Sequence, residues 1–454
     1  MNHLGTYGGR HSRRQWLFRT AALAGSGVAA GWLGPIKQLL AAEQQPQRHL
    51  IVLWMSGGPS QIDTFDPKPG HTHGGPVKSI SSRVPGVALS EYLPKLSERA
   101  DRLAVVRSLS TREGDHARGT YLVRTGRQPG TNINHPSFPA AAVKELDSGS
   151  AALPGYVAVN PQIDLIPEAY SPGYLGPRFA PATVTGAPPT AAGTFAQLEM
   201  RDLTMARQAG RSDATGSPAA SDLTRHQRRW QLWQALQHDF RQQHPQAAGP
   251  AAQQIVYEQA YRLMNSQEVN ALDLSQEPTE VRERYGSGTF GQGCLLARRL
   301  IERQVPVVEV TLGEVAGWDT HTDNFRQVAQ LAAQLDQGWS TLMDELAERG
   351  LLERTTIVWL GEFGRTPQIN PQGGRDHFPQ AWSAVLAGGG IAGGQAYGAT
   401  TADGMEVADK KVTIEDLLAT VCAAVGVDPH HENTTDIGRP FKISDGSPIR
   451  ELLT

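Results

Sequence analysis

The sequence predicts an α/β fold built on a mostly parallel central sheet, and three observations carry that expectation. His49–Met55 and Thr355–Leu360 are continuous apolar runs of strand length, as strands covered on both faces require. Residues 305–312, residues 324–349 and Thr355–Leu360 follow one another as a β-branched run, a helix-period segment and an apolar run, which together make a βαβ unit. The chain has 454 residues, 39% of them hydrophobic, enough for a large core in one α/β domain or two smaller ones.

Taken in order, residues 1–42 carry Arg10, Arg13, Arg14, Arg19 and Lys37 and no acidic side chain. Ser12-Arg13-Arg14-Gln15-Trp16-Leu17 precedes an Ala/Gly-rich apolar run over 21–33, and small residues follow at Ala41 and Ala42. A basic head, a moderate apolar run and a small-residue cleavage site read as an export signal. The paired arginines resemble the twin-arginine type, which makes that export machinery an expected partner. The run is short and Gly-rich for a membrane span, although an uncleaved anchor is the alternative. The expectation is a periplasmic or secreted protein with no stable transmembrane span after cleavage. Removing the segment leaves 37 basic against 45 acidic residues, a charge of −8. That balance, with no basic patch, gives nucleic acid no footing. An anionic substrate is still compatible with it if a bound cation supplies local positive charge.

After His49–Met55 the loop Ser56-Gly57-Gly58-Pro59-Ser60-Gln61-Ile62-Asp63 places Asp63 where a first-strand loop brings site residues. Capping of a local turn by Ser60 and Asp63 is the plainer reading. A second strand over 103–107 leads to Asp115, His116 and Arg118, with a helix running from His116 to Gly126. A helix start favours an anion, so His116 and Arg118 are candidate catalytic groups. Residues 153–159 form a further expected strand. From about 161 to 250 the composition shifts to Ala, Thr, Gln, Pro and Gly, and this reads as a surface insertion or lid within one domain spanning 48–454. Inside it, Leu223, Trp230, Trp233, Leu236 and Phe240 share one side of a helix over 222–242, a packing face rather than a substrate platform. Cys294 and Cys422 both fall inside expected helices and read as small buried apolar residues, with a lone disulfide as the alternative.

The chemistry concentrates between residues 317 and 379. Gly317-Trp318-Asp319-Thr320-His321 follows the strand over 305–312. Phe325, Val328, Ala332, Leu335, Trp339, Leu342 and Leu346 then recur at helical spacing, and Gly350 stops the helix. Thr355–Leu360 runs into Gly361-Glu362-Phe363-Gly364-Arg365, and Gly374-Arg375-Asp376-His377 follows before a strand over 381–386. Carboxylate and imidazole groups on three strand-exit loops suit a divalent metal such as Zn, Mn or Ca. The alternative is structural: an ion network of Glu362, Arg365 and Asp376, with Asp319 capping the following helix.

That order of motifs resembles the alkaline phosphatase-like superfamily, which includes sulfatases and cofactor-independent phosphoglycerate mutases. More specifically, Gly57-Gly58-Pro59-Ser60-Gln61-Ile62-Asp63, Gly317 to His321, Gly361 to Pro367 and Gly374 to Pro379 resemble the exported bacterial family called domain of unknown function 1501. The resemblance implies a three-layer α/β/α fold and a site holding one or two divalent metals. Counting back from Thr125-Gly126-Arg127 puts His116 at the superfamily's nucleophile position, where Ser, Thr or Cys is usual. Ser56 stands where an Asp ligand is usual, and Phe363 where a His ligand is usual. The implied roles are metal ligation by Asp63, Asp319, His321, Glu362, Asp376 and His377, and catalysis by His116, Arg118 and Arg365. Two functions follow as expectations: a metal-dependent hydrolase of phosphate or sulfate esters, small or polysaccharide, or a non-catalytic exported binding or assembly protein that keeps the fold.

Overall fold

The computed structural model describes residues 47–454, apart from 131, 148–152, 188, 190–193, 201–219, 244–247, 265, 314–316 and 436. The expected export signal lies outside the described residues. Among them, nine strands form one sheet: β1 (His49–Met55), β2 (Leu103–Leu109), β3 (Tyr156–Val159), β4 (Ala182–Ala187), β5 (Gln197–Met200), β6 (Val307–Leu312), β7 (Thr355–Leu360), β8 (Trp382–Gly388) and β9 (Gln395–Tyr397). Their spatial order is β9-β2-β8-β7-β1-β6-β3-β4-β5. β1 lies between β6 and β7, parallel to both, and β3 continues the parallel set. Only β8 and β5 run against their neighbours.

All seven residues of β1 are buried, because the sheet is covered on both sides. Ile51, Leu53 and Met55 face a core shared with α5 (Thr289–Glu302) and α6 (Asn324–Glu348), through residues such as Phe290, Leu335 and Trp339. Leu50, Val52 and Trp54 face the opposite core with α1 (His116–Thr125), α2 (Phe138–Leu146) and α7 (Ile414–Ala424). This is the α/β fold with a mostly parallel sheet that the sequence predicts, in the three-layer α/β/α form that the resemblance implies. Among the described residues no helix is long and apolar enough to cross a membrane.

The stretch read as a surface insertion is less peripheral than expected. It supplies β4 and β5, which extend the sheet beyond β3. Their alternation is faint in the sequence because the edge pair is only half buried. Farther on, α3 (Ala220–Gln243) and α4 (Ala248–Met264) stack Trp230 on Tyr261 and Trp233 on Tyr257. The Trp face is therefore a packing face, as its spacing suggests, while Leu236 and Phe240, grouped with it from sequence, remain exposed. Cys294 and Cys422 are both free and buried, one in each helical layer.

Candidate metal centre

The loops after β6 and β7 leave the same end of the two parallel strands that flank β1, so topology alone brings Asp319 and Glu362 to one edge. Backbone bonds then lace the Asp319 loop to the segment carrying His377: Arg375 N–H donates to Thr320 O at 3.0 Å and Asn324 N–H to Gly373 O at 3.1 Å. Gly374 permits this approach, since a Cβ there would lie 1.9 Å from the His321 carbonyl oxygen. His116 enters from the start of α1, which Asp115 caps by accepting from Arg118 N–H. The distant motifs thus converge.

Three imidazoles surround one carboxylate. Asp319 Oδ1 lies 3.1 Å from both His321 Nε2 and His377 Nε2, and Asp319 Oδ2 lies 3.3 Å from His116 Nε2. Each ring has its Nδ1 on an oxygen acceptor: His116 on Glu362 Oε1 at 2.7 Å, His321 on Asp376 Oδ1 at 2.7 Å, and His377 on the Gly114 carbonyl at 2.7 Å. An oxygen acceptor requires N–H at Nδ1, so in each neutral ring Nε2 carries the lone pair. His321 Nε2 and His377 Nε2 are only 3.0 Å apart. Lone pairs aimed at one another and at a carboxylate repel, unless protons or a cation lie among them. His116 Nε2 and Glu362 Oε2 are buried without a hydrogen-bond partner. The donor atoms of His116, Asp319 and His377 lie within 4.8 Å of one another. These features fit a divalent cation, with oxygen acceptors behind the imidazoles as metal-binding histidines usually have.

Electrostatics follows from this packing. Burial alone would lower the His116 pKa, but Asp319 and Glu362 outweigh it and hold the imidazole up, at about 9. Burial would raise Asp319, yet His116, His377 and Arg365 hold its carboxyl well below the usual range.

Several expected site residues lie elsewhere or act indirectly. Asp63 is not among the converging donors: both its oxygens accept from the buried Arg375, at 2.7 and 3.0 Å, and Asn324 Nδ2 adds a bond at 2.8 Å. Fully buried and neutralised by a bidentate guanidinium, this carboxylate is committed to Arg375 rather than to the centre. Arg118 turns away and forms a bidentate pair with Glu113 at 2.7 and 2.8 Å. Arg365 is fully buried, donating to the carbonyls of Gly57, Gly58 and Arg375 and to Asp319 Oδ1 at 2.5 Å. It braces Asp319 and has no outward edge for a substrate oxyanion. Asp376 orients His321, not His377. Glu362 accepts from Gly57 N–H at 2.8 Å and from His116, so one of its oxygens orients that ring. Asp319 caps no helix, because Asp323 precedes α6.

Three contributors were given no role from sequence. Phe363 packs against His116 and His377 with ring centroids 5.0 and 4.6 Å away. Gly114 holds His377 through a backbone carbonyl, which leaves no mark on sequence. Arg375 pairs with Asp63, and its position beside Asp376 and His377 in one motif was the available signal.

The family model described as "Protein of unknown function (DUF1501)" matches residues 47–453. No curated protein matches the chain. Among solved structures the chain is similar to Ps i-CgsB, with a TM-score of 0.40 and 10% identity over 88% of this chain and 75% of that one. It is similar to the PsFucS1 sulfatase from Pseudoalteromonas sp., with a TM-score of 0.38 and 11% identity over 86% and 70%. It is also similar to a protein in the alkaline phosphatase superfamily from Vibrio parahaemolyticus, with a TM-score of 0.35 and 10% identity over 85% and 67%.

Proposed function

The chain belongs to the DUF1501 family, and from the site it carries we propose an exported hydrolase that uses a divalent cation to cleave phosphate or sulfate esters. The observation that supports this best is the set of three imidazole Nε2 atoms turned on Asp319, each ring pinned at Nδ1 by an oxygen. Asp319, His321 and His377 would hold the cation. An imidazole-rich set favours Zn over Mn or Ca, which suit oxygen ligands better. Phe363 packs against both His116 and His377 and offers no donor atom there, which favours one ion over two. Bound there, the cation would supply Lewis acidity toward an ester oxygen and lower the pKa of a coordinated water.

The chain's own residues do the rest. Glu362 fixes the His116 tautomer through Nδ1, so the ring that has released its proton presents the Nε2 lone pair, which suits His116 to take a proton from the attacking water. Arg365 and its carbonyl partners keep Asp319 ionised and in place. The Gly114 carbonyl and Asp376 hold His377 and His321 in the tautomer that presents Nε2. Export rests on the basic head, apolar run and small-residue site of residues 1–42.

The test is metal analysis of protein grown with Zn, Mn or Ca, followed by assays on aryl phosphate and aryl sulfate esters. One equivalent of metal and turnover of one ester class are expected. Protein that stays metal-free under all three conditions overturns the reading, while bound metal without turnover favours the non-catalytic binding protein.

A pH dependence follows from His116. In the metal-free protein its pKa is about 9, so the ring is protonated at neutral pH. A dication beside Asp319 removes the attraction that holds this proton, so binding releases it. Affinity should therefore strengthen with rising pH, by up to about tenfold per unit, and level off above about 9. Calorimetry in two buffers of different ionisation heat should count that proton, and His116→Gln should abolish it.

A further inference from the structure

A cleft of ≈ 530 Å³ runs along the outer side of α1. Arg118 and Tyr121 of α1, Asn132 and Asn134 of the next loop, and Ile166 and Glu168 from beyond β3 are among the residues that line it. We propose that this cleft is a subsite for an oligosaccharide, the hydroxyl-rich chain that carries the ester to the metal centre. The proposal deepens the hydrolase reading and rests on it for what happens to the bound chain, though not for the binding itself.

Position is the first argument. A single short segment borders both places: Gly114 holds His377 Nδ1, His116 faces Asp319, Glu113 pairs with Arg118, and Arg118 lines the cleft. The cleft and the metal centre are thus built on the same first turn of α1, Arg118 being two residues from His116 in sequence. The walls are also built before any ligand arrives. Tyr174 N–H donates to the Asn134 carbonyl at 3.2 Å, Asn134 Nδ2 to Ser171 Oγ at 3.1 Å, and Ser137 N–H to the Ser171 carbonyl at 2.9 Å. A pre-formed wall spares the ordering cost that weakens binding.

Chemistry selects the occupant. The volume lies within the range of small-ligand pockets. Side-chain amides, a phenol and a carboxylate offer both donors and acceptors, which suits the hydroxyl edges of sugar rings, while Ile166 and the ring of Tyr121 suit their C–H faces. A densely anionic chain would meet Glu168. An acyl chain would leave Asn132, Asn134 and Glu168 facing apolar surface, which is costly.

The experiment uses the full-length protein with cellohexaose, laminarihexaose and xylohexaose as probes, followed by calorimetry. At least one should bind with a Kd on the order of 1 mM or tighter. Asn132 and Glu168 are exposed, so Asn132→Trp and Glu168→Trp fill the cleft from two walls without disturbing the core. Each should weaken binding by about tenfold or more, leaving metal content and turnover of a small aryl ester unchanged. The subsite is overturned if no probe binds, or if both variants bind as the parent does. Loss of saccharide binding in the variants of a protein that turns over no ester supports the subsite and removes the hydrolase reading. Ester turnover with saccharide binding indifferent to both variants does the reverse.

Discussion

Asp319→Asn should remove metal binding while leaving the fold intact. Among the described residues the carboxylate is the only anion that the three imidazole Nε2 atoms share, and it lies at 3.1, 3.1 and 3.3 Å from them. Asparagine keeps an oxygen for Arg365 Nη2 and nearly the same volume, so the buried guanidinium stays bonded. What disappears is the negative charge that offsets a dication among neutral rings. The loss in affinity should exceed about a hundredfold, the upper end of what removing a supporting hydrogen bond costs at metal sites. Asp376→Asn is the informative comparison. Of the three imidazoles it touches only His321, at Nδ1 and from a half-exposed position, and it also accepts from Asn370 Nδ2 at 3.2 Å, so its loss should stay within about ten- to a hundredfold. Asp319→Ala should differ from both, because Arg365 then loses its only carboxylate partner among the described residues, in a fully buried place. That variant should lose about 3–5 kcal/mol of stability as well as the metal. Equilibrium dialysis and urea unfolding of the three variants separate the outcomes. Metal retained by Asp319→Asn at parental affinity would remove this carboxylate from the centre.

The contrast among these carboxylates shows what the sequence makes legible. Strand runs, the long helix and the loop positions of Asp319, Glu362 and His377 follow from apolar periodicity, and parallel topology forces those loops to one edge. Periodicity says nothing about where a side chain finds its partner. Asp63 and Asp319 look alike in sequence, each on a strand-exit loop, yet Asp63 is neutralised by Arg375 from a segment 312 residues away. Arg365 and Arg375 sit in similar motifs, but burial turns both inward, and no local pattern distinguishes a buried brace from an exposed oxyanion clamp. The edge strands β4 and β5 escaped notice for a related reason: half-buried edges tolerate mixed composition, so alternation fades. Glu309 was visible as the single charge in the run Val307-Val308-Glu309-Val310, and it was the sign of a partner still to be found.

That partner is Arg124, and breaking the pair is the second large effect. Both side chains are almost wholly buried. Arg124 donates to Glu309 Oε1 and Oε2 at 2.9 and 2.8 Å, Tyr156 Oη donates to Glu309 Oε2 at 2.6 Å, and the guanidinium carbon lies 3.7 Å from the Tyr170 ring centroid. Arg124→Met leaves a carboxylate inside the sheet with Tyr156 as its only donor. The expected cost is about 3–5 kcal/mol, the range for removing one member of a buried pair. Arg124→Met combined with Glu309→Leu removes both charges and should recover most of that loss, since well-packed apolar residues replace such pairs at little or no cost. Urea midpoints of the single and double variants measure this, and a double variant as unstable as the single would show that shape rather than charge governs the site. The pair also bears on chemistry. Arg124 belongs to the helix that begins at His116, and Glu309 to the strand that leads into the Asp319 loop, so the ion pair fixes one side of the centre against the other. A double variant that regains stability yet binds metal more weakly than the parent would identify Arg124 and Glu309 as positioning residues, holding His116 opposite Asp319 from within the core.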